Sequence, residues 1–79
     1  MRVRVDCYAG HKADERPQRF YLDEHPYEVA EVLDQWYSPG DTYFRVRAHD
    51  GNFYILRHRQ DPMEEAWTLV SFRRARAAS

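Results

Sequence analysis

The chain has very few of the residues that mark secreted, disulfide-linked or membrane-spanning proteins. Of its 79 residues, one is cysteine and three are glycine. Because Cys7 is alone, an intramolecular disulfide is excluded, and a reducing compartment is favoured. No apolar run approaches the roughly 20 residues that span a bilayer, and the N-terminal residues lack the apolar core of a signal peptide. We therefore expect a cytoplasmic protein with no membrane partner.

Motifs of catalysis and of cofactor binding are missing as well. The sequence contains no glycine-rich phosphate loop, nucleophile elbow or metalloprotease helix. Cys7 and His11 have a spacing that zinc ligands can show, but structural zinc sites need a second pair of ligands, which is missing. Cys7 lies in phase with Val3 and Val5, which favours a small buried side chain over a nucleophile. The expectation is a protein that is not an enzyme and that binds neither metal nor cofactor.

The composition that is present predicts one small folded domain. Aromatic residues make up 15% of the chain and charged residues 32%, with a formal net charge of −1. Residues 1–40 hold five basic and eight acidic side chains, whereas 41–79 hold seven basic and five acidic. This asymmetry predicts a modest basic patch in the second half. We expect a single β-rich domain at 1–72, followed by a flexible tail at 73–79.

A β-hairpin over 42–59 is the strongest structural signal. β-branched and aromatic residues flank Asp50-Gly51, a dipeptide typical of a two-residue type I′ turn. That turn would set a register in which residues directly opposite each other share a face. One face would then be core, formed by Phe44, Val46, Ala48, Phe53 and Ile55.

The second face of this predicted hairpin mixes arginine with aromatic and apolar residues. The candidate binding residues are Tyr43, Arg45, Arg47, Tyr54 and Leu56, with Arg57 placed to contact phosphate. Arginine interleaved with aromatic rings on a sheet can bind single-stranded nucleic acid. Cross-strand arginine–tyrosine pairs that cover one another would produce the same pattern, as would a face covered by another strand or a second subunit.

The remaining segments predict further short strands and one ambiguous element. Alternation predicts strands at 1–8, 19–23 and 66–72, and turn residues predict a long charged loop at 9–18 and a turn at 60–65. At 26–37, Val29, Val32, Leu33 and Trp36 have the spacing of an amphipathic helix. A β-bulge near Ala30–Glu31 would instead make the same segment one long bent strand.

The segments RFYL, YEVAEVLDQWY, YFRVRAHDGNFYILRH and WTLVSF, between Phe20 and Phe72, carry a resemblance. Their framework aromatics and turn resemble a family of short uncharacterised bacterial proteins with no known function. The resemblance implies a small β-rich fold in which 26–37 is a bulged strand.

The fold prediction is a small antiparallel bent sheet or partly open SH3-like barrel of five to six strands. The alternative is an α+β fold with one helix at 26–37. In either fold we expect the same residues to be mostly buried, namely Phe44, Val46, Phe53, Ile55, Trp67, Leu69 and Trp36.

Two functions remain open on the sequence alone. The first is a non-catalytic module that binds an unknown protein partner or forms a homodimer. Coverage of Tyr54 and Leu56 by the chain itself, in a strict monomer, would count against it. The second is a small nucleic-acid-binding β domain that uses the Arg/Tyr face of the 42–59 hairpin, with Arg57 or Arg59 on phosphates.

Overall fold

Six antiparallel strands close into a barrel. The computed structural model describes residues 2–7, 16–59 and 66–74. Its strands are β1 (Arg2–Cys7), β2 (Pro17–Leu22), β3 (His25–Ser38), β4 (Asp41–Ala48), β5 (Phe53–Arg59) and β6 (Ala66–Arg73). Each strand pairs with the next, and β6 returns to pair with β1. The prediction of a small antiparallel β barrel is confirmed.

Several predicted segments fall outside the described residues. Most of the loop predicted at 9–18 does so, although Pro17 and Gln18 belong to β2. The turn predicted at 60–65 lies outside as well. The tail was predicted to start at residue 73, but Arg73 ends β6, and 75–79 lie beyond the described chain.

β3 is a strand over its whole length and carries two irregularities. Its register against β4 shifts between Val29 and Glu31 and again between Val32 and Asp34. The first shift adds one residue between Val29 and Val32, so both pair with interior positions of β4 although they are three residues apart. This bulge therefore produces the i, i+3 spacing that also fits a helix. The bulged-strand interpretation is confirmed, and the helix alternative is wrong.

The type I′ turn lies between β2 and β3. Leu22 pairs with His25, and the two loop residues between them, Asp23 and Glu24, have φ angles of 49° and 68°. Positive φ at both central residues defines this turn, whose twist matches the twist of the flanking strands. The turn forms here without a glycine.

The β4–β5 loop has three residues, not two. The Gly51 amide donates to the Ala48 carbonyl at 2.9 Å, and the Ala48 amide donates to the Asn52 carbonyl at 3.0 Å. Gly51 alone in this loop has a positive φ, at 86°. This is the pattern of a type I turn followed by a left-handed residue. The two-residue turn predicted at Asp50-Gly51 is therefore wrong.

The longer loop moves the β5 register by one residue. Phe44 pairs with Leu56 and Val46 with Tyr54, whereas Arg45 pairs with Ile55. Because side chains alternate along a strand, a shift of one residue exchanges the two faces of β5. Leu56 and Tyr54 therefore enter the core that was assigned to Phe53 and Ile55.

The core lies inside the barrel and draws on every strand except β3 for its buried members. They are Val3, Phe20, Phe44, Val46, Ala48, Tyr54, Leu56 and Trp67, and β3 adds Tyr27, Val29 and Val32 packed against them. The predicted burial of Phe44, Val46 and Trp67 is confirmed. Phe53, Ile55 and Leu69 are half-buried. Trp36 is 38% exposed, so its predicted burial is wrong.

Substitution of Gly51 tests the loop geometry. A Cβ at this position meets no atom within 4 Å, so any cost comes from the positive φ alone. We expect Gly51→Ala to lower the free energy of unfolding by about 1–2 kcal/mol, and Gly51→Asn to cost less because asparagine tolerates this conformation. Urea denaturation measures both, and equal stability of Gly51→Ala and wild type would contradict the three-residue loop.

Two neighbouring substitutions on β5 test the register. Leu56 has no exposed surface, so Leu56→Ala should cost about 2–5 kcal/mol through the cavity it leaves. Ile55 is half-buried on the outside, and Ile55→Ala should cost roughly 1 kcal/mol. The same denaturation experiment compares them, and a larger loss for Ile55→Ala would restore the two-residue turn.

Candidate binding face

The strand register places four of the six predicted binding residues outside the barrel and the other two inside it. Tyr43, Arg45 and Arg47 alternate with the core residues of β4 and lie outside the barrel, and Arg57 pairs with Tyr43 and lies outside as well. The other two predicted residues, Tyr54 and Leu56, lie in the core. Only 2% and 0% of their surfaces are exposed. The placement of these two with the arginines on one face is corrected.

Tyr54 stabilises the hairpin loop from inside the barrel. Its hydroxyl donates to Asp50 Oδ2 at 2.7 Å, and the Asn52 amide donates to Asp50 Oδ1 at 2.9 Å. Burial raises the pKa of Asp50, but the hydrogen bonds from Tyr54 and Asn52 lower it further, so the net pKa lies below its usual range. Burial and the bond to Asp50 raise the pKa of Tyr54. Both shifts favour a charged Asp50 and a neutral Tyr54, the states this hydrogen bond requires.

A groove lies on the outside of β3–β6 and includes Arg45 of the predicted site. Its volume is about 420 Å³, and its lining residues are Leu33, Arg45, Phe53, Ile55, Ser71 and Arg73. The three apolar residues are half-buried and form the floor, whereas the two arginines and Ser71 are exposed. We refer to these six residues as the groove.

Strand register explains how the groove is assembled. Arg45, Ile55 and Ser71 are neighbours in one row across β4, β5 and β6, and Phe53 pairs with Arg73 in the next row. The β5–β6 register shifts after Ile55, which leaves Val70 as the extra residue. The two rows place the arginines diagonally across the floor, on strands either side of β5.

Ion pairs distinguish the groove arginines from two neighbouring arginines of β4 and β5. Arg47 pairs with Glu31 at 3.1 Å, and Arg59 pairs with Asp41 at 3.5 Å. Within the described ranges, neither Arg45 nor Arg73 has a carboxylate within ion-pair distance. Asp34 is the register partner of Arg45, but its Oδ1 accepts a hydrogen bond from the Gln35 amide at 3.2 Å.

An aromatic pair lies beside the groove on the same outer surface. Trp36 and Tyr43 stack with ring centroids 5.4 Å apart and planes only 1° apart. Tyr43 pairs with Arg57, whose Nε is buried and has no hydrogen-bond partner among the residues that the structure describes. The surface around the groove therefore offers flat rings as well as guanidinium groups.

The residues considered as metal ligands or nucleophiles pack against other side chains. Cys7 is half-buried and packs against the core. His58 stacks on Trp67 with centroids 4.3 Å apart. In the described parts of the chain, no three histidine, cysteine or acidic side chains form a metal-sized group. The partner proposed for Cys7, His11, lies outside those parts. The same parts contain no helix long and apolar enough to cross a membrane.

Sequence reasoning missed five of the six groove residues, all but Arg45, and it placed Arg73 in the tail. Phe53 and Ile55 were assigned to the core because Asp-Gly also suits a two-residue turn. Both faces of β5 carry large apolar residues, so alternation alone does not choose between them. The signal that could have corrected the assignment is Arg57 and Arg59, which share the face of Phe53 and Ile55. Leu33 and Ser71 lie next to bulges, and period-two alternation does not indicate where a bulge falls.

The Tyr54–Asp50 hydrogen bond predicts a defined acid sensitivity. We expect Tyr54→Phe to lower the free energy of unfolding by about 1 kcal/mol, since the exposed Asp50 carboxylate regains water when the bond is lost. Because the folded-state pKa of Asp50 is depressed, its contribution is complete above pH of about 4 and is lost as pH falls through that lower pKa.

The measurement is urea denaturation of wild type, Tyr54→Phe and Asp50→Asn at several values of pH. The stability advantage of wild type over Asp50→Asn should shrink as pH falls below about 4. An advantage that stays constant over this range would show that the Asp50 charge does not contribute to stability.

Comparison with known proteins leaves the function to be argued from this geometry. Searches against protein-family models, curated proteins and solved structures returned no match to the chain.

Proposed function

We propose that this chain is a non-catalytic module that binds a protein partner through the groove. The observation that supports the proposal is the combination of a half-buried apolar floor with two exposed arginines that lack ion pairs among the described residues. An apolar floor gains free energy when a partner side chain removes it from water. The arginines add orientation, because each guanidinium presents several donors in a fixed geometry.

The chemistry of the lining supports recognition rather than catalysis. Leu33, Phe53 and Ile55 supply only carbon surface, and the arginine side chains supply hydrogen-bond donors but no acceptor. Ser71 is the remaining polar side chain, and the residue opposite it in the sheet is Ile55. A serine nucleophile needs an adjacent base. The groove supplies contact area and positive charge.

A second candidate function, nucleic-acid binding, is favoured by the stacked pair Trp36–Tyr43. Flat rings beside arginines are the arrangement on which single-stranded bases stack. However, Glu31 neutralises Arg47, and Asp34 follows on the same strand. Nucleic-acid affinity depends on the number of phosphates that basic residues neutralise. The acids of β3 weaken the attraction for phosphates. The aliphatic surface of Leu33 and Ile55 in the floor favours a protein partner.

A second copy of the chain is the special case of self-association. Tyr54 and Leu56 are covered by the chain itself, so they add no apolar surface for a dimer. Among the described residues, the exposed large apolar side chains beyond the groove floor are Trp36, Tyr37, Val70 and Phe72, at 38%, 72%, 50% and 48%. Sedimentation velocity over a range of concentrations separates a homodimer from a monomer that binds another protein.

Selection from a random peptide library tests the proposed function. Wild type is compared with Ile55→Gln, which changes the floor, and with Val70→Gln, which changes an exposed aliphatic residue outside the groove. Far-UV circular dichroism and thermal unfolding establish that both variants fold. We expect wild type and Val70→Gln to enrich the same peptides, and Ile55→Gln to lose them, because the floor no longer excludes water.

Two results would contradict this proposal. Peptides that bind wild type and Ile55→Gln equally would show that the groove is not the binding site. The second contradicting result would come from fluorescence anisotropy with labelled single-stranded DNA and RNA. Binding that weakens with salt and in an Arg45→Ala/Arg47→Ala variant, together with no enriched peptide, would establish the nucleic-acid function instead.

A further inference from the structure

We propose that the groove recognises an extended acidic segment in which one apolar side chain lies between two carboxylates, in the order acid-x-apolar-x-acid. This inference rests on the proposed function and specifies the partner. It is argued from the positions of Arg45 and Arg73, the floor between them and the charges around them.

The distance between the two arginines defines the spacing of the carboxylates. Arg45 and Arg73 lie on β4 and β6, with one strand between them, and their positions differ by two residues along the strands. With strands about 4.8 Å apart and about 3.3 Å per residue, their Cα atoms are separated by about 12 Å. Residues i and i+4 of an extended chain are about 13 Å apart and point to the same side. An extended segment therefore reaches both arginines with acids at i and i+4.

The floor determines the residue in the middle of the segment. Ile55 and Phe53 lie on β5 between the two arginines, and Leu33 completes the apolar surface. In an extended chain, residue i+2 points to the same side as i and i+4. A side chain at that position lies over the floor, and a groove of about 420 Å³ accommodates a large one such as leucine or phenylalanine.

The surrounding charges favour acids over other partners. Exposed guanidinium groups without carboxylates in ion-pair distance can form charge-assisted hydrogen bonds with an incoming carboxylate. Arg47 and Arg59 already have acidic partners, whereas neither groove arginine has one among the described residues. A nucleic acid would bring a phosphate at every nucleotide, close to the acids Glu31 and Asp34 of β3. Two separated carboxylates match two separated arginines.

The segment crosses the sheet rather than extending it. The line from Arg45 to Arg73 runs over β5, which already pairs with β4 and β6. Backbone hydrogen bonds to a sheet edge therefore do not supply the affinity, and the three side chains do. Specificity should consequently follow the identity of residues i, i+2 and i+4.

A set of synthetic peptides tests this inference directly. Each is a labelled seven-residue peptide with blocked ends, Ser-Glu-Thr-Leu-Thr-Glu-Ser or a variant, titrated with protein in fluorescence anisotropy. One variant replaces both glutamates by glutamine, and another replaces leucine by serine. A third moves the second glutamate to i+3, where it points to the opposite side. We expect the parent peptide to bind most tightly and each variant to bind about tenfold more weakly or worse.

Matched protein variants separate recognition from general electrostatics. Arg45→Gln/Arg73→Gln removes two positive charges from the groove. Arg4→Gln/Arg19→Gln removes the same charge from β1 and β2, away from the groove. The first variant should weaken the parent peptide by about tenfold or more, and the second should have little effect.

The possible outcomes distinguish this inference from the proposed function on which it rests. If the library yields peptides that depend on Ile55 but lack paired acids, the inference is wrong and the protein-binding function stands. If acidic peptides bind the two arginine variants alike, the inference is also wrong. If neither library nor designed peptides bind and single-stranded DNA or RNA does, both proposals fail together.

Discussion

The loop between β4 and β5 is the constraint on which the rest of the barrel depends. Gly51 adopts a positive φ, and the Asp50 carboxylate accepts hydrogen bonds from the Asn52 amide and the Tyr54 hydroxyl. The His49 amide donates to the Glu28 carbonyl at 2.9 Å, so β3 also holds the loop. These contacts set a three-residue connection. Every side chain of β5 takes its face from that length.

The register explains why the outer surface is unusual for a small barrel. With Tyr54, Leu56 and His58 turned inward, the interior is filled by aromatic and aliphatic side chains that stack on Phe20 and Trp67. The remaining apolar residues of β5, Phe53 and Ile55, lie on the outside. Because both faces of this strand are apolar, the fold leaves a half-buried surface that the core does not require. The proposed partner would cover this half-buried apolar surface.

Bulges turn this surface into a groove. The shifts in β3 and in β6 each insert one residue, and the shift in β3 brings Leu33 to the outer side while that in β6 aligns Ser71 with Ile55. A bulge increases local twist and re-aims neighbouring side chains, which is why bulges often lie near functional sites. Arg45 and Arg73 then face each other across β5 without the acidic partners that Arg47 and Arg59 have.

The sequence by itself determined a β-rich domain, the positions of the five strands other than β3 to within a few residues, and most of the core on β4. Alternation in the strands and turn chemistry between them are local, and local signals suffice for these features. It also indicated that arginines and Tyr43 share one face of the hairpin, because residues of one strand at spacing two always do.

Only the tertiary structure decided which residues of the other strands lie beside these arginines and Tyr43. Asp50-Gly51 is compatible with loops of two or three residues, and the choice depends on contacts made by Tyr54 from inside the barrel and by β3 from the side. Similarly, the spacing of Val29 and Val32 fits a helix as well as a bulged strand. Pairing with β4 resolves that ambiguity, since only a strand completes its backbone hydrogen bonds there. The groove depends on both outcomes, so it could not be read from any one segment.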